Sequence, residues 1–122
     1  MANHEQASAK LLSIWNGEED LDELDPILSA GYVGHNGSID RDLAQLKLDI
    51  TAYRLSAPDV RFMIEHRLEA GDFTATRLSA HATDALGAAT SATGLNISRW
   101  EGALLAEEWA VWESLAGPDR GR

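Results

Sequence analysis

At Pro58 the apolar residues of this sequence change their spacing. Before it they recur every three or four positions, as on one side of a helix. After it they alternate, as on one face of a strand. Helices segregated from strands in this way define an α+β domain, not a βαβ repeat around a parallel sheet. The chain has 122 residues, the length of one domain and enough to bury a core without staples.

The helical half predicts three elements. Glu5 to Asn16 carries Ala7, Leu11, Ile14 and Trp15 on one face, and Asn16-Gly17 supplies a stop. Asp20 to Leu28 reads as a second, short helix, with Pro26 tolerable only near its first turn. Tyr32 to His35 is short and extended, a strand or a turn. Ser38 is the expected cap of a third helix, with Asp40 and Asp42 in its first turn. Leu43, Leu46, Ile50 and Tyr53 make its buried stripe, and Ala57-Pro58 ends it.

The strand half predicts a meander. Val60, Phe62, Ile64, His66 and Leu68 alternate with Arg61, Met63, Glu65, Arg67 and Glu69. Gly71-Asp72 turns the chain into a strand from Phe73 to His81. Asp84 to Gly94 reads as a loop, Asn96 to Trp100 as a short strand, and Leu104 to Glu113 as a long last strand after a Glu101-Gly102 turn. Helices laid on such a sheet leave a space between the layers, which is a packed core or a pocket.

Charge and composition remove whole classes. Twenty Asp and Glu against ten Lys and Arg give a net charge of −10, which argues against nucleic acid and anionic membrane as partners. There is no Cys, so disulfides, thiolate metal sites and a Cys nucleophile are excluded. The spacing of the histidines and acids matches no metal motif, and neither metal nor cofactor is expected. No apolar run approaches the roughly 20 residues of a membrane span, and the polar N-terminus shows no signal-peptide pattern, so a cytoplasmic protein is expected.

Four segments in order resemble the SnoaL-like polyketide cyclases of the NTF2-like superfamily. They are Leu28 to Asn36 (LSAGYVGHN), Ala57 to Glu65 (APDVRFMIE), Glu69 to Arg77 (EAGDFTATR) and Arg99 to Trp109 (RWEGALLAEEW). The resemblance implies a cone-shaped, curved antiparallel sheet wrapped around three N-terminal helices, with an apolar pocket inside. It implies one domain over residues 1–117; the tail at 118–122 is expected to be flexible, as chain ends are. It also implies a homodimer formed through the convex sheet face, where Trp109 and Val111 fall.

The implied activity is cofactor-independent acid/base chemistry on an apolar, carbonyl-bearing small molecule, ending in cyclisation or isomerisation. In the cyclases an aspartate on the last strand is the acid/base group, and the matching position here is Ala110. Glu108 shares that face and is the substitute, with His35 as the other candidate base. Arg77 is expected to polarise the carbonyl or to pair with Glu108 or Glu65, since a buried arginine needs a partner. Tyr32, Asn36, His66, His81 and Trp112 complete the expected substrate-binding set. Two alternatives stand beside this reading. One is a non-catalytic binding protein of the same fold, which Ala110 favours. The other is a limonene-epoxide-hydrolase-like enzyme, which Ser79 and Ala110 disfavour because acids would be needed there.

Overall fold

A computed structural model describes residues 4–115. The expected tail at 118–122 lies outside them. Two α-helices, α1 (His4–Trp15) and α2 (Leu43–Ser56), accompany six strands: β1 (Leu28–Asn36), β2 (Ile39–Asp42), β3 (Arg61–Ala70), β4 (Phe73–Thr83), β5 (Ala89–Glu101) and β6 (Leu104–Leu115). The strands form one sheet in the order β2-β1-β6-β5-β4-β3. The β1–β6 pair is parallel and the other pairs are antiparallel, so the sheet is mixed rather than purely antiparallel. No helix among the described residues is long and apolar enough to cross a membrane.

The α+β class stands, but the expected three helices are two. Between Asp20 and Leu28 only a 3-10 turn forms, at Leu21–Leu24. Pro26 has no N–H to continue a helix. The Ile27 carbonyl instead accepts from Leu105 N at 2.9 Å, which draws the chain into the sheet. Leu28 therefore opens a nine-residue strand that contains Tyr32 to His35.

The start of α2 also moves. Gly37, at φ +64°, and Ser38 form a two-residue hairpin turn that pairs Asn36 with Ile39. Residues that read as a first helical turn thus become β2. The helix begins after Asp42, whose side chain accepts from Gln45 N at 2.9 Å. The expected loop at Asp84 to Gly94 shrinks likewise. Asp84 Oδ1 accepts from the Leu86 and Ala88 amides, each at 2.9 Å, and β5 already starts at Ala89.

The core lies where α1, α2 and the 3-10 turn cover one face of the sheet. Ile14, Leu24, Leu28, Tyr32, Leu46, Ile50, Trp100 and Leu105 belong to one buried cluster. The end of α1 is tied down by Asn16, whose side chain donates to Phe62 O at 3.2 Å and accepts from Phe62 N at 2.7 Å. Arg54 of α2 donates Nε to the Ile14 carbonyl at 3.0 Å, beside the bond that carbonyl accepts from Gly17 N, and so ties the end of α1 to α2. Trp100 donates its indole N–H to Thr74 Oγ1 at 3.0 Å, so a large apolar body is buried with its one polar group paired.

Candidate functional site

Strand parity divides the polar residues of the sheet into two sets. Tyr32, Gly34 and Asn36 of β1 alternate toward the helices, and Val33 and His35 toward the outside. Gly34 lies opposite Arg41 of β2 on one side and opposite Glu108 of β6 on the other. Ser98 of β5 is the next partner of Glu108. The inner face of these four strands thus carries Arg41, Tyr32, Glu108, Asn96 and Ser98.

Arg41, Glu108, Asn96 and Ser98 border a cavity of about 480 Å³ between the helices and the sheet. Its wall includes Asn36, Arg41, Asp49, Asn96 and Glu108 beside apolar and aromatic side chains. Ala110 and Trp112 of β6 line it too. Trp15, Tyr53, Phe62 and Trp112 meet ring to ring, with centroids 5.6–5.9 Å apart, so α1, α2, β3 and β6 share one aromatic wall. Most of these contacts are edge-on, the geometry favoured by ring quadrupoles. Gly94 makes room for this wall, since a Cβ there would stand 2.6 Å from the Trp112 indole.

Glu108 is the acid of the sheet's inner face and is only 8% exposed. Its Oε1 accepts from Asn96 Nδ2 at 2.8 Å, and its Oε2 accepts from the Tyr32 hydroxyl. Asn96 is in turn oriented by Ser98, whose hydroxyl donates to Asn96 Oδ1 at 2.7 Å. Each carboxylate oxygen has a second lone pair, so Glu108 is positioned by two donors and can still accept a proton. Tyr32 is 1% exposed. Burial first, then the charge and hydrogen bond of Glu108, push its phenol well above the usual range, so it remains a donor. The Tyr32 hydroxyl lies over Gly34, in the place a Cβ would take.

Arg41 supplies the cation of the cavity wall. Burial pulls its pKa down, but Tyr32, Glu108 and Asp49 outweigh that and hold it above the ordinary value. Its Nη1 donates to Asp49 Oδ2 at 3.2 Å, and its guanidinium lies 5.6 Å from the Trp15 ring centre.

The outer face carries most of the other expected site residues. His35 sits between two carboxylates, with Nδ1 2.8 Å from Asp40 Oδ1 and Nε2 2.7 Å from Glu107 Oε2. Hydrogen bonding to Glu107, then to Asp40, raises its pKa. The same bond from His35, with help from Arg99, holds Glu107 below the ordinary carboxylate value against a smaller effect of burial. The His35 ring stacks on Trp109 at 5.5 Å.

Arg77 is also outside. Its Nε donates to His66 Nδ1 at 3.3 Å, and among the described residues it bonds to neither Glu108 nor Glu65. Glu65 accepts instead from Ser79 Oγ at 2.6 Å. His81 shares the Arg77 face and is exposed. His66 was expected inside with Phe62 and Ile64. An irregularity between Ile64 and His66 shifts the register by one, so Ile64 pairs with Leu78 but His66 pairs with Arg77. The bulge turns His66 and Leu68 outward and Arg67 inward.

Of the eight expected residues, Glu108, Asn36 and Trp112 line the cavity, Tyr32 is buried and holds Glu108 by its hydroxyl, and His35, Arg77, His66 and His81 lie off it. Arg41 and Asn96 were not anticipated. Asn96 had a signal, since it alternates with Ser98 and Trp100 on the strand that faces Glu108. Arg41 was hidden by the unread hairpin at Gly37-Ser38. Among the described residues, no three His, Asp or Glu side chains are grouped to hold a metal ion.

Two helices on one face of a six-stranded mixed sheet, with a hydrogen-bonded acid in the cavity between them, place this chain in a defined class of α+β domains. The fold is that of the SnoaL-like polyketide cyclases. It superposes on IdmH of Streptomyces antibioticus, a candidate polyketide cyclase, with a TM-score of 0.81 and 22% identity, over 91% of this chain and 92% of that one. A SnoaL-like polyketide cyclase of Agrobacterium tumefaciens aligns with a TM-score of 0.78 and 17% identity, over 93% of each chain. AclR of Streptomyces galilaeus, a candidate hydroxylase, aligns with a TM-score of 0.74 and 16% identity, over 91% of this chain and 77% of that one. No protein-family model and no curated protein sequence matches the chain. The neighbours carry different activity names on one fold, so activity has to be argued from the cavity.

Proposed function

We propose that this protein is a cofactor-independent enzyme of the SnoaL-like type. It would remove a proton next to the carbonyl of an apolar small molecule and so promote cyclisation or isomerisation. The observation that supports this reading is Glu108, a carboxylate held by Tyr32 and Asn96 in the wall of the cavity. A fixed acid with a free lone pair is what general base catalysis needs. Glu108 lies two residues before Ala110, where the cyclases carry their acid, and both positions line the cavity. A base at 108 meets the ligand about 7 Å further along the strand than one at 110, given the strand rise. Asn36, opposite Ala110 on β1, and Trp112 line the same space and would contact the ligand.

The second reading, a binding protein without turnover, draws on Ala110 and on the two donors already occupying Glu108. The hydrolase alternative loses ground, because Ser79 and Arg77 lie on the outer face. Deuterium exchange separates the first two. Incubated in D₂O with a panel of tetralones and polycyclic aromatic ketones, the enzyme exchanges the protons next to the carbonyl of those it binds. Binding of several ketones with exchange no faster than in buffer would establish the binder.

The outer face supports a proposal about assembly. Leu68, Leu95, Ile97 and Val111 are exposed there and lie around one shallow groove with Trp109. A second copy of this chain is the proposed cover, consistent with the apolar character of homodimer interfaces. Sedimentation equilibrium tests it, with a dimer expected for the native chain and a monomer for Val111→Lys.

A further inference from the structure

The cavity wall holds a cation, Arg41, that the acid/base reading leaves unused. Nε of Arg41 is buried and has no hydrogen-bond partner among the described residues. A buried N–H without an acceptor is costly, and such groups in folded proteins call for a specific explanation. The rest of this side chain is firmly held. Nη1 is fixed by Asp49, which itself accepts from Gln45 Nε2 at 2.9 Å, and the guanidinium lies against Trp15. Arg41 is therefore an oriented cation whose hydrogen-bonding capacity is not used up by the protein.

Its position relative to Glu108 is set by the sheet. Arg41 and Glu108 are the two cross-strand partners of Gly34, one on each side of β1. Their Cα atoms are thus two strand spacings apart, roughly 10 Å. Because Gly34 has no side chain, the hydroxyl end of Tyr32 fills the gap over β1, beside the Arg41 stem. A small molecule lying across that gap has one end at the carboxylate and the other at the guanidinium.

We infer that Arg41 is the group that receives negative charge on the ligand oxygen, and that the cavity selects neutral ligands which become oxyanions on losing one proton. The inference rests on the role proposed for Glu108. In the step, the C–H bond next to the carbonyl breaks and the proton goes to the Glu108 carboxylate. The electron pair moves to the carbonyl oxygen, which becomes an enolate oxygen and accepts from the Arg41 guanidinium in the cavity wall. Charge is conserved within the cavity: the carboxylate becomes neutral as the oxygen becomes negative. The cation is in place beforehand, so no reorganisation is needed when the charge moves. A neutral carbonyl oxygen gains less from the same donor, because charge-assisted hydrogen bonds are about twice as strong as neutral ones. The selectivity therefore falls on the ionised form of the ligand, not on carbonyl compounds in general.

Nitrophenols and nitronaphthols report this without turnover. They lose a proton from oxygen, the anion absorbs in the visible, and their rings suit an aromatic-walled cavity. Below the pH at which the free probe ionises, the bound probe is expected to show its anion band in the wild type. Arg41→Met should abolish the band and weaken binding about tenfold or more, the scale of a lost hydrogen bond to a charged group. Arg41→Lys, which keeps the charge and not the planar fork, should recover part of the band and guards against a folding defect in the methionine variant. A probe that binds the wild type in its neutral form, or an anion band that survives in Arg41→Met, overturns the role of Arg41 and leaves Glu108 untouched. Failure of every probe and every ketone to quench the Trp15 and Trp112 fluorescence overturns both.

Discussion

Glu107 and Glu108 are neighbours in sequence and face opposite ways. Each meets hydrogen-bond donors from adjacent strands. Glu107 meets His35 of β1 and Arg99 of β5, both cations or potential cations, on a face open to water. Glu108 meets Tyr32 of β1 and Asn96 of β5, both neutral, beside a cavity. The same residue type on the same three strands thus has two different environments. On the outer face, opposite charges neutralise each other and are screened by solvent. On the inner face the carboxylate is oriented by neutral donors, and its negative charge is not cancelled by a direct ion pair. The inner acid is therefore free to take a proton, and the outer one is committed to its histidine.

The largest structural effect that would break this contrast is at Gly34, the point where the inner set converges. Gly34→Ala puts a methyl group into the Tyr32 hydroxyl and against Arg41 Cγ, 3.4 Å away. Tyr32 is buried and cannot swing aside, so a loss of roughly 3 kcal/mol is expected in denaturant unfolding, at the upper end for overpacking. Gly94→Ala meets an indole that is partly exposed and can move, so it should cost clearly less. Equal losses at the two glycines would mean that the phenol is not locked over β1.

Tyr32→Phe comes next. It removes one of the two donors to a buried carboxylate, and a loss of roughly 1.5 kcal/mol is expected in the same measurement. An unchanged midpoint would show that water replaces the phenol at Glu108.

The outer pair gives the smallest effect and the clearest pH signature. His35 has a raised pKa, so its contribution is complete below its ordinary value of 6.5 and is lost as pH rises through the folded value. Glu107 has a lowered pKa, so its contribution is complete above its ordinary value of 4.5 and is lost as pH falls through the folded value. Together they stabilise the protein between the lowered value of Glu107 and the raised value of His35. His35→Gln should flatten the stability profile across that window. NMR titration of the His35 ring should give a midpoint above 6.5, and a midpoint at or below it would remove the outer network from the account.

The change of period at Pro58 made the strand half legible, and the ordered motifs pointed to the right fold. Alternation also placed Glu108, Ala110 and Trp112 together on one face of β6, as found. What alternation does not encode is which face of a strand meets the helices. Arg77 and His81 do share a face with Phe73, but the helices cover Thr74, Leu78 and Ala80 instead. The bulge after Ile64 has no signal in the alternation of apolar residues, because His66 and Leu68 continue the pattern across it. The turn at Gly37-Ser38 did have a signal, the Asn36-Gly37 pair. Reading Asp40 and Asp42 as a first helical turn left that signal unused, and Arg41 was missed with the strand that carries it.

The most direct test sets the two acids against each other. Glu108→Gln and Glu107→Gln are compared for deuterium exchange into a ketone that the wild type processes. The account predicts that Glu108→Gln loses about 100-fold or more, the contribution of a general base, while Glu107→Gln keeps close to the full rate. Equal losses in the two variants, or a Glu108→Gln enzyme that exchanges as fast as the wild type, would contradict it.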